Sequence, residues 1–439
     1  MSHHHDDDTN RRRTGGNYIT TSATEDGVDR RGFLRCMAWA GTATVWVMAG
    51  GVPKSLLATR IPFLTDAERK SIFFAQISDS HIGFSKEANK DVTATLQQAV
   101  ARLNALPQTP AIVLHTGDIT QLAKPSEFDT AHQVLAGIKS DRVFYVPGEH
   151  DVATDNGTSY LARYGKGTKG GGWYSFDHSG VHFIGLVNVL NLKAGGLGTL
   201  GADQLAWLER DVSGLSSSTP IVVFAHIPLW TVYPAWGWGT DDSEQALGYL
   251  KRFGSVTVLN GHIHQIMQKV EGHMAFHTAM STAFPQPAPG TAPAPGPMTV
   301  GAARLTSVLG IADVTFIPGR SSLAIVDATL SGQPPAFDAA TQDAAQRRQT
   351  RRALTLGSNE IGIDNFQFSP PSLSVARGTT VTWINNDDVP HLIVNVENRF
   401  KQSPVLDTGQ KFSATLAKAG TYKYFCSLHP MMQGTIVVR

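Results

Sequence analysis

Five short groups of carboxylates and imidazoles punctuate this 439-residue chain: Asp79-Ser80-His81, Gly117-Asp118, Gly148-Glu149-His150-Asp151, His226, and Gly261-His262-Ile263-His264. Carboxylate oxygens and neutral imidazole nitrogens bind zinc, iron or manganese, and one carboxylate can bridge two ions. Two ions about 3.5–4 Å apart can clamp a phosphoryl group and generate a hydroxide near neutral pH. The glycines allow tight turns that project such ligands. A second set stands near the C-terminus: Asp388-Val389-Pro390-His391, then Cys426-Ser427-Leu428-His429-Pro430-Met431-Met432. Two imidazoles and a thiolate make a trigonal site, and a weak axial thioether completes a blue-copper centre.

Each group of the first set follows a run that reads as a buried strand. The runs are residues 71–77, 111–114, 142–146, 221–224 and 256–259, with a sixth at 181–187. Between them, Val92, Leu96, Val100 and Leu103 recur at helical spacing, as do Leu205, Leu208 and Val212. This is an α/β pattern. Open α/β sheets form ligand sites at the carboxyl ends of their strands, so parallel strands would bring all five groups to one edge. The Pro/Ala/Gly-rich run 285–297 reads as a loop, and 165–172 as a flexible glycine-rich loop without nucleotide-cradle spacing. The tail has the rhythm of a small β-sandwich, with strands expected at 373–375, 381–384, 392–396, 421–425 and 435–438.

The ordered motifs Asp-x-His, Gly-Asp, Gly-Asn-His-Asp/Glu, a single His and Gly-His-x-His define the calcineurin-like metallophosphoesterases. Residues 70–330 or so resemble that family. Residues 202–208 also look like one of its helices. The resemblance implies an α/β fold, a four-layer αββα sandwich, and two divalent or trivalent ions (Fe, Mn or Zn). One metal would take Asp79, His81 and His264, and the second His226 and His262, with Glu149 as a further ligand and Asp118 as the bridge. His150 would contact the phosphoryl group as general acid or transition-state stabiliser, oriented by Asp151. The implied reaction is hydrolysis of a small phosphomonoester or phosphodiester by metal-activated hydroxide. His115, His132, His178, His182, His273 and His277 read as structural histidines.

One residue departs from the family: Glu149 stands where it has Asn. A unit charge about 4 Å from an anionic substrate is worth on the order of 4 kcal/mol at an effective dielectric constant of about 20. Glu149 would therefore oppose phosphate binding, lower the Lewis acidity of the metals and favour harder ions such as iron or manganese. It is either a tolerated ligand or the mark of different chemistry. No Tyr follows Asp118 at the spacing of the purple acid phosphatase branch.

The tail resembles the cupredoxins, an all-β Greek-key sandwich, and its Cys-x-x-His-x-x-Met spacing is most like amicyanin. This implies one type 1 copper held by His391, Cys426, His429 and Met432, with Met431 the competing axial residue. It also implies outer-sphere electron transfer with a redox partner.

Several features frame these sites. A formal net charge of +1 gives no electrostatic reason to expect nucleic acid or an anionic membrane as partner. With 16 His against 2 Cys, imidazole and carboxylate sites fit better than a disulfide scaffold. Asp29-Arg30-Arg31-Gly32-Phe33-Leu34-Arg35 resembles the twin-arginine export motif, and an apolar stretch, 36–52, follows. A leader over 1–60 predicts a periplasmic or secreted protein with no membrane span after its removal. Cys36 would leave with it, so a lone Cys426 needs an explanation other than pairing, which copper supplies. The expected organisation is leader 1–60, phosphoesterase 61–331, linker 332–358 with Arg347, Arg348, Arg351 and Arg352 on a solvated face, and cupredoxin 359–439. The aromatic loop with Trp230, Tyr233, Trp236 and Trp238 either walls a substrate pocket or packs locally. Hydrolysis is the leading expectation. The alternatives are an oxidoreductase whose dimetal site exchanges electrons with copper, and a copper module without chemical coupling to the hydrolase.

Overall fold

The structure, a computed structural model, describes residues 44–49, 52–57, 72–316, 323–332 and 356–439. The twin-arginine motif and the linker arginines lie outside these residues. The chain divides into compact units at 1–60 and 61–439. In the first, β1 (Thr44–Ala49) and β2 (Val52–Leu57) pair as an antiparallel hairpin.

The second unit begins with β3 (Ile72–Ile77), β4 (Ile112–His115), β5 (Arg142–Tyr145), β6 (Tyr174–His178), β7 (Val181–Gly185) and β8 (Ile221–Ala225). It continues with β9 (Val256–Asn260), β10 (Gln268–Glu271), β11 (Met274–Thr278), β12 (Gly310–Phe316) and β13 (Ala324–Thr329). These strands form two sheets, ordered β13-β12-β3-β4-β5 and β10-β11-β9-β8-β7-β6. The ligand-bearing strand ends come from two sheets, the two β layers of the expected αββα sandwich: β3, β4 and β5 run parallel in one, and β8 and β9 run parallel in the other. Sequence specifies the direction of a strand more readily than the sheet it joins.

Alternation along the strands makes the layers. Ile72 and Phe74 of β3 and Val222 and Phe224 of β8 fill the space between the sheets, where Phe74 and Phe183 meet edge to face at 5.3 Å. Ala75 and Ile77 point the other way, under α1 (Val92–Asn104) and α2 (Pro125–Leu135). Val223 and Ala225 likewise face α3 (Ala202–Ser213) and α4 (Ser243–Leu250). With both faces covered, the central strands read as continuous apolar runs. Helix α1 buries Val92, Leu96, Ala99 and Leu103, and the Asp91 side chain accepts a hydrogen bond from Ala94 N at 2.9 Å, capping its first turn.

The C-terminal strands are β14 (Glu360–Asp364), β15 (Gln367–Ser369), β16 (Ser372–Val375), β17 (Thr380–Asn385), β18 (Ile393–Asn395), β19 (Lys411–Thr415), β20 (Gly420–Cys426) and β21 (Gln433–Val438). They form two four-stranded sheets, β15-β14-β17-β19 and β16-β21-β20-β18, around a core that includes Trp383, Tyr424 and Ile436.

Outside the sites, His182 shows how a buried imidazole is satisfied. Its Nδ1 lies 2.8 Å from Asp177 Oδ1 and its Nε2 3.0 Å from Asp211 Oδ2. Burial opposes protonation, but the bonds to Asp211 and Asp177 outweigh it and raise the pKa. The contribution of this triad to stability is therefore fully present below the unfolded value near pH 6.5 and is lost as pH rises through the raised folded value. His182→Gln is expected to lower the melting temperature more at about pH 5.5 than at about pH 8.5. An equal loss at both would refute the charged triad.

Candidate metal centres

The chain leaves the ligand-bearing strands through strained turns. Asp79, His81, Asp118, His262 and His264 have φ of 53°, 42°, 49°, 71° and 53°. Such left-handed conformations are unfavourable for residues with a Cβ and cluster at functional sites. The turns need close backbone approach as well. A Cβ on Gly148 would collide with Asp118 Oδ1 and Asp118 N.

Two clusters result. In one, His81 Nε2 lies 3.2 Å from His264 Nε2, and His264 Nε2 lies 3.3 Å from Asp79 Oδ1. In the other, Glu149 Oε2 is 3.0 Å from His226 Nε2, and Glu149 Oε1 is 2.9 Å from His262 Nδ1. Asp118 Oδ2 sits between them, 3.5 Å from His81 Nε2 and 3.4 Å from His226 Nε2. Within each triad, Asp79-His81-His264 and Glu149-His226-His262, one ligand atom per residue falls within 4.8 Å of the others. The structure thus brings together all seven residues that the sequence nominated.

Outer partners fix the rings. His81 Nδ1 faces Gln121 Oε1 at 2.9 Å, His226 Nδ1 donates to Thr116 O at 2.7 Å, and His264 Nδ1 donates to Phe284 O at 2.6 Å. Each Nδ1 is thereby satisfied from outside, and each Nε2 turns inward, where a cation would take the place of any proton on it. Burial holds His81 down to about 3, so it stays neutral. Burial, and for Asp118 also the Glu149 charge, works against ionising Asp79, Asp118 and Glu149. Nearby imidazoles nevertheless hold all three below the usual carboxylate range: His264 for Asp79, His226 and His150 for Asp118, His262 and His226 for Glu149. Burial also opposes charge on His226, yet Asp118 and Glu149 drive its pKa well above normal. That field would equally hold a cation.

The donors fit metal ions. Glu149 Oε2, His226 Nε2 and His262 Nδ1 are buried without a hydrogen-bond partner although they lie close together. Buried polar atoms left in this way need a missing partner, and a shared cation supplies one.

His150 and Asp151 occupy a helical turn, Glu149–Val152. The His150 ring packs against His81 at 4.7 Å, and its Nδ1 donates to the Gln121 carbonyl at 2.8 Å. The orienting partner is this carbonyl, rather than the Asp151 carboxylate expected from sequence. Asp151 instead accepts from Gly148 N, Ile119 N, Thr120 N and Thr120 Oγ1, tying two ligand loops together. Burial and the Asp118 charge push it up to about 7. Sequence reasoning missed Gln121, which positions both His81 and His150. Its place three residues after Asp118 is the one available signal.

In the C-terminal domain His429 Nδ1 lies 3.3 Å from His391 Nδ1 and 3.6 Å from Cys426 Sγ. Cys426 is a buried free thiol, and its sulfur accepts from Leu392 N at 3.5 Å. Two imidazole nitrogens and one sulfur suit copper. Asp387 Oδ2 holds His391 Nε2 at 2.8 Å. Burial opposes protonation of His391, but Asp387 and the Cys426 sulfur push it up to about 9. Met432 is buried in the domain core, whereas Met431 faces Gly237 of the N-terminal domain, so burial favours Met432 as the axial candidate.

The two centres adjoin. The rings of His429 and His150 are 6.4 Å apart, centroid to centroid. Gly195 N donates to Pro430 O at 2.6 Å, and Lys86 pairs with Asp407 at 3.5 Å across the same interface.

Two family models match the chain: calcineurin-like phosphoesterase over residues 74–266, and copper binding proteins of the plastocyanin/azurin family over residues 356–439. Amicyanin-alpha of Methylorubrum extorquens is 32% identical over 108 residues, 24% of this chain and 90% of that protein. A 3′,5′-cyclic-nucleotide phosphodiesterase of Nostoc sp. is 25% identical over 225 residues, 49% of this chain and 80% of that protein. A glycerophosphodiester phosphodiesterase of Enterobacter lignolyticus is 27% identical over 207 residues, 44% of this chain and 72% of that protein. The chain belongs to the calcineurin-like phosphoesterases by its N-terminal domain and to the plastocyanin/azurin family of copper binding proteins by its C-terminal domain.

Manganese, iron or zinc at about 100 times its dissociation constant is expected to stabilise the protein by about 2.7 kcal/mol, roughly 5–10 °C in melting temperature. Gly148→Ala should abolish that increment, and an undiminished increment would refute the assigned geometry. Copper(II) should give an intense blue colour that Cys426→Ser removes. Colour persisting in the variant would refute the thiolate ligand.

Proposed function

We propose that this protein is an exported, binuclear phosphoric ester hydrolase with a fused type 1 copper domain. The observation that carries the reading is Asp118, whose Oδ2 lies within 3.5 Å of an imidazole of each cluster, the position of a bridging ligand. Asp79, His81 and His264 would hold one cation, and Glu149, His226 and His262 the other. When bound, the pair would supply Lewis acidity at the phosphoryl oxygens and activate water as nucleophile. His391, Cys426, His429 and Met432 would hold the copper.

The chain's own groups do the rest. His150 lines the same small cavity as the ligand residues, and its Nδ1 is committed to Gln121 O. Nε2 is therefore the atom left to face the substrate, and as imidazolium it would donate to a phosphoryl oxygen or pass a proton to the leaving oxygen. Asp151 holds the loops of Asp118 and Glu149 in register. The two phosphodiesterase relatives support a phosphate ester as substrate. Export rests on the Arg30-Arg31 motif. Among the described residues no helix is long and apolar enough to cross a membrane.

A second reading, an oxidoreductase in which the dimetal site and the copper exchange electrons, is favoured by the 6.4 Å separation of the His429 and His150 rings and by Glu149. One experiment separates the two. Protein loaded with manganese, iron or zinc should hydrolyse nitrophenyl phosphate esters. Glu149→Asn should raise that rate about ten-fold, roughly 1.4 kcal/mol, a fraction of the bare charge effect. No turnover with any of these ions, together with a copper potential that moves when the N-terminal site is filled, would overturn hydrolysis in favour of redox chemistry.

A further inference from the structure

The cavity above the dimetal ligands is roofed in part by the other domain. Its lining includes His81, Glu149 and His150 from below and Phe366, Val389 and His429 from the C-terminal sandwich. It encloses only about 30 Å³, room for on the order of two water molecules. So small and partly open a space leaves no room for an organic group beside the ligands, and an ester group on a phosphate held there would extend out of it.

A second chamber opens beside it. It encloses about 190 Å³, and Trp236, His262, Pro295, Phe366 and His429 line both. Apolar cavities of about 150 Å³ hold a benzene molecule, so the outer chamber has space for one aromatic ring. Its walls come from both domains: Leu197 and Trp236 from the loops after β7 and β8, and Phe366, Leu428 and Met431 from the sandwich. Its lining includes no Asp, Glu, Lys or Arg. A second phosphate, a carboxylate or an ammonium group would lose its hydration there without gaining a counter-charge. An uncharged ring would gain aromatic contacts with Trp236 and Phe366.

We propose that this outer chamber is the leaving-group subsite of the phosphoesterase, a two-domain pocket for a single uncharged aromatic or compact apolar group on the phosphate. The assignment rests on the hydrolase reading and adds to it the substrate class and the part played by the C-terminal domain. That domain is then a wall of the substrate site, through Phe366 and Met431, as well as a holder of copper. Of the four aromatics in the loop after β8, Trp236 serves the pocket, and Trp238 packs behind it at 5.1 Å. Trp230 packs on Phe276 in the core, and Tyr233 supports Trp236 edge to face.

Non-hydrolysable phosphonates test this by calorimetry on the full, manganese-loaded chain, without reliance on turnover. Phenylphosphonate should bind at least ten-fold more tightly than methylphosphonate, and 4-carboxyphenylphosphonate should lose at least ten-fold relative to phenylphosphonate. Leu197→Asp in one domain and Met431→Asp in the other should each bring the phenyl-to-methyl ratio down toward one, with retained methylphosphonate binding and an unchanged circular dichroism spectrum reporting that the variant is folded. Equal binding of phenyl- and methylphosphonate by the unmutated protein would overturn the subsite and leave the hydrolase reading standing. So would an undiminished ratio in both variants. Failure of both phosphonates and of inorganic phosphate to bind would overturn the hydrolase reading and the subsite with it.

Discussion

Three carboxylates that cannot comfortably share a cavity do so here. Asp79, Asp118 and Glu149 are each at most 3% exposed, and all three border the same ring of imidazoles. Burial penalises each charge, and mutual repulsion adds to it. Only positive charge in their midst can offset both. The rest of the N-terminal domain follows from that requirement. Strands from two sheets must end at one place, their last residues must turn into the left-handed region, and glycines must let one loop pass against the next. Asp151 illustrates how tightly this is held. A carboxylate that could have served chemistry is spent instead on four donors from neighbouring loops.

The C-terminal domain solves a smaller problem with similar means. Its two imidazoles and thiol converge with one outer carboxylate, Asp387, holding the His391 ring. The His391 ring is oriented by this bond outside the site, and the His429 ring by packing against Phe366 at 4.6 Å. What distinguishes the molecule is the direction in which this centre looks. The His429 ring faces His150, so this side of the centre is turned toward the neighbouring domain.

Most of the dimetal ligands were legible in the sequence because they closely follow strands buried on both faces, β3, β4, β8 and β9, and such strands announce themselves as apolar runs; Glu149 follows β5, an edge strand that is half-buried, and there the Gly-Glu-His-Asp motif carried the signal. Strands with weaker signals were missed. β10 is exposed along its whole length, and β19 alternates exposed and half-buried residues, so neither carries the pattern of a covered strand. β12 lies in the core, but it runs antiparallel to both its neighbours, β13 and β3, and ends without a ligand motif. Which sheet each strand joins was not legible in the strands themselves, since nothing local in β8 separates it from β3; the two β layers came only with the family resemblance and its αββα layering. Gln121 escaped because its side chain and its carbonyl act on two different histidines, a role set by tertiary geometry. The contact between the domains was hidden for the same reason. Trp236, Phe366 and Met431 are single apolar residues on separate loops, and only the fold brings them together.

The Gly195–Pro430 hydrogen bond has an evolutionary corollary. Connections between strands usually accept insertions, because they run over open surface and little depends on their length. The segment from Cys426 to Met432 has no such freedom. Its spacing must suit a metal at one end of the loop and the contour of an adjoining domain at the other. Lengthening by even one residue would have to satisfy two unrelated fits at once, so descendants of this fusion should vary far more in the tips of the remaining sandwich loops than here.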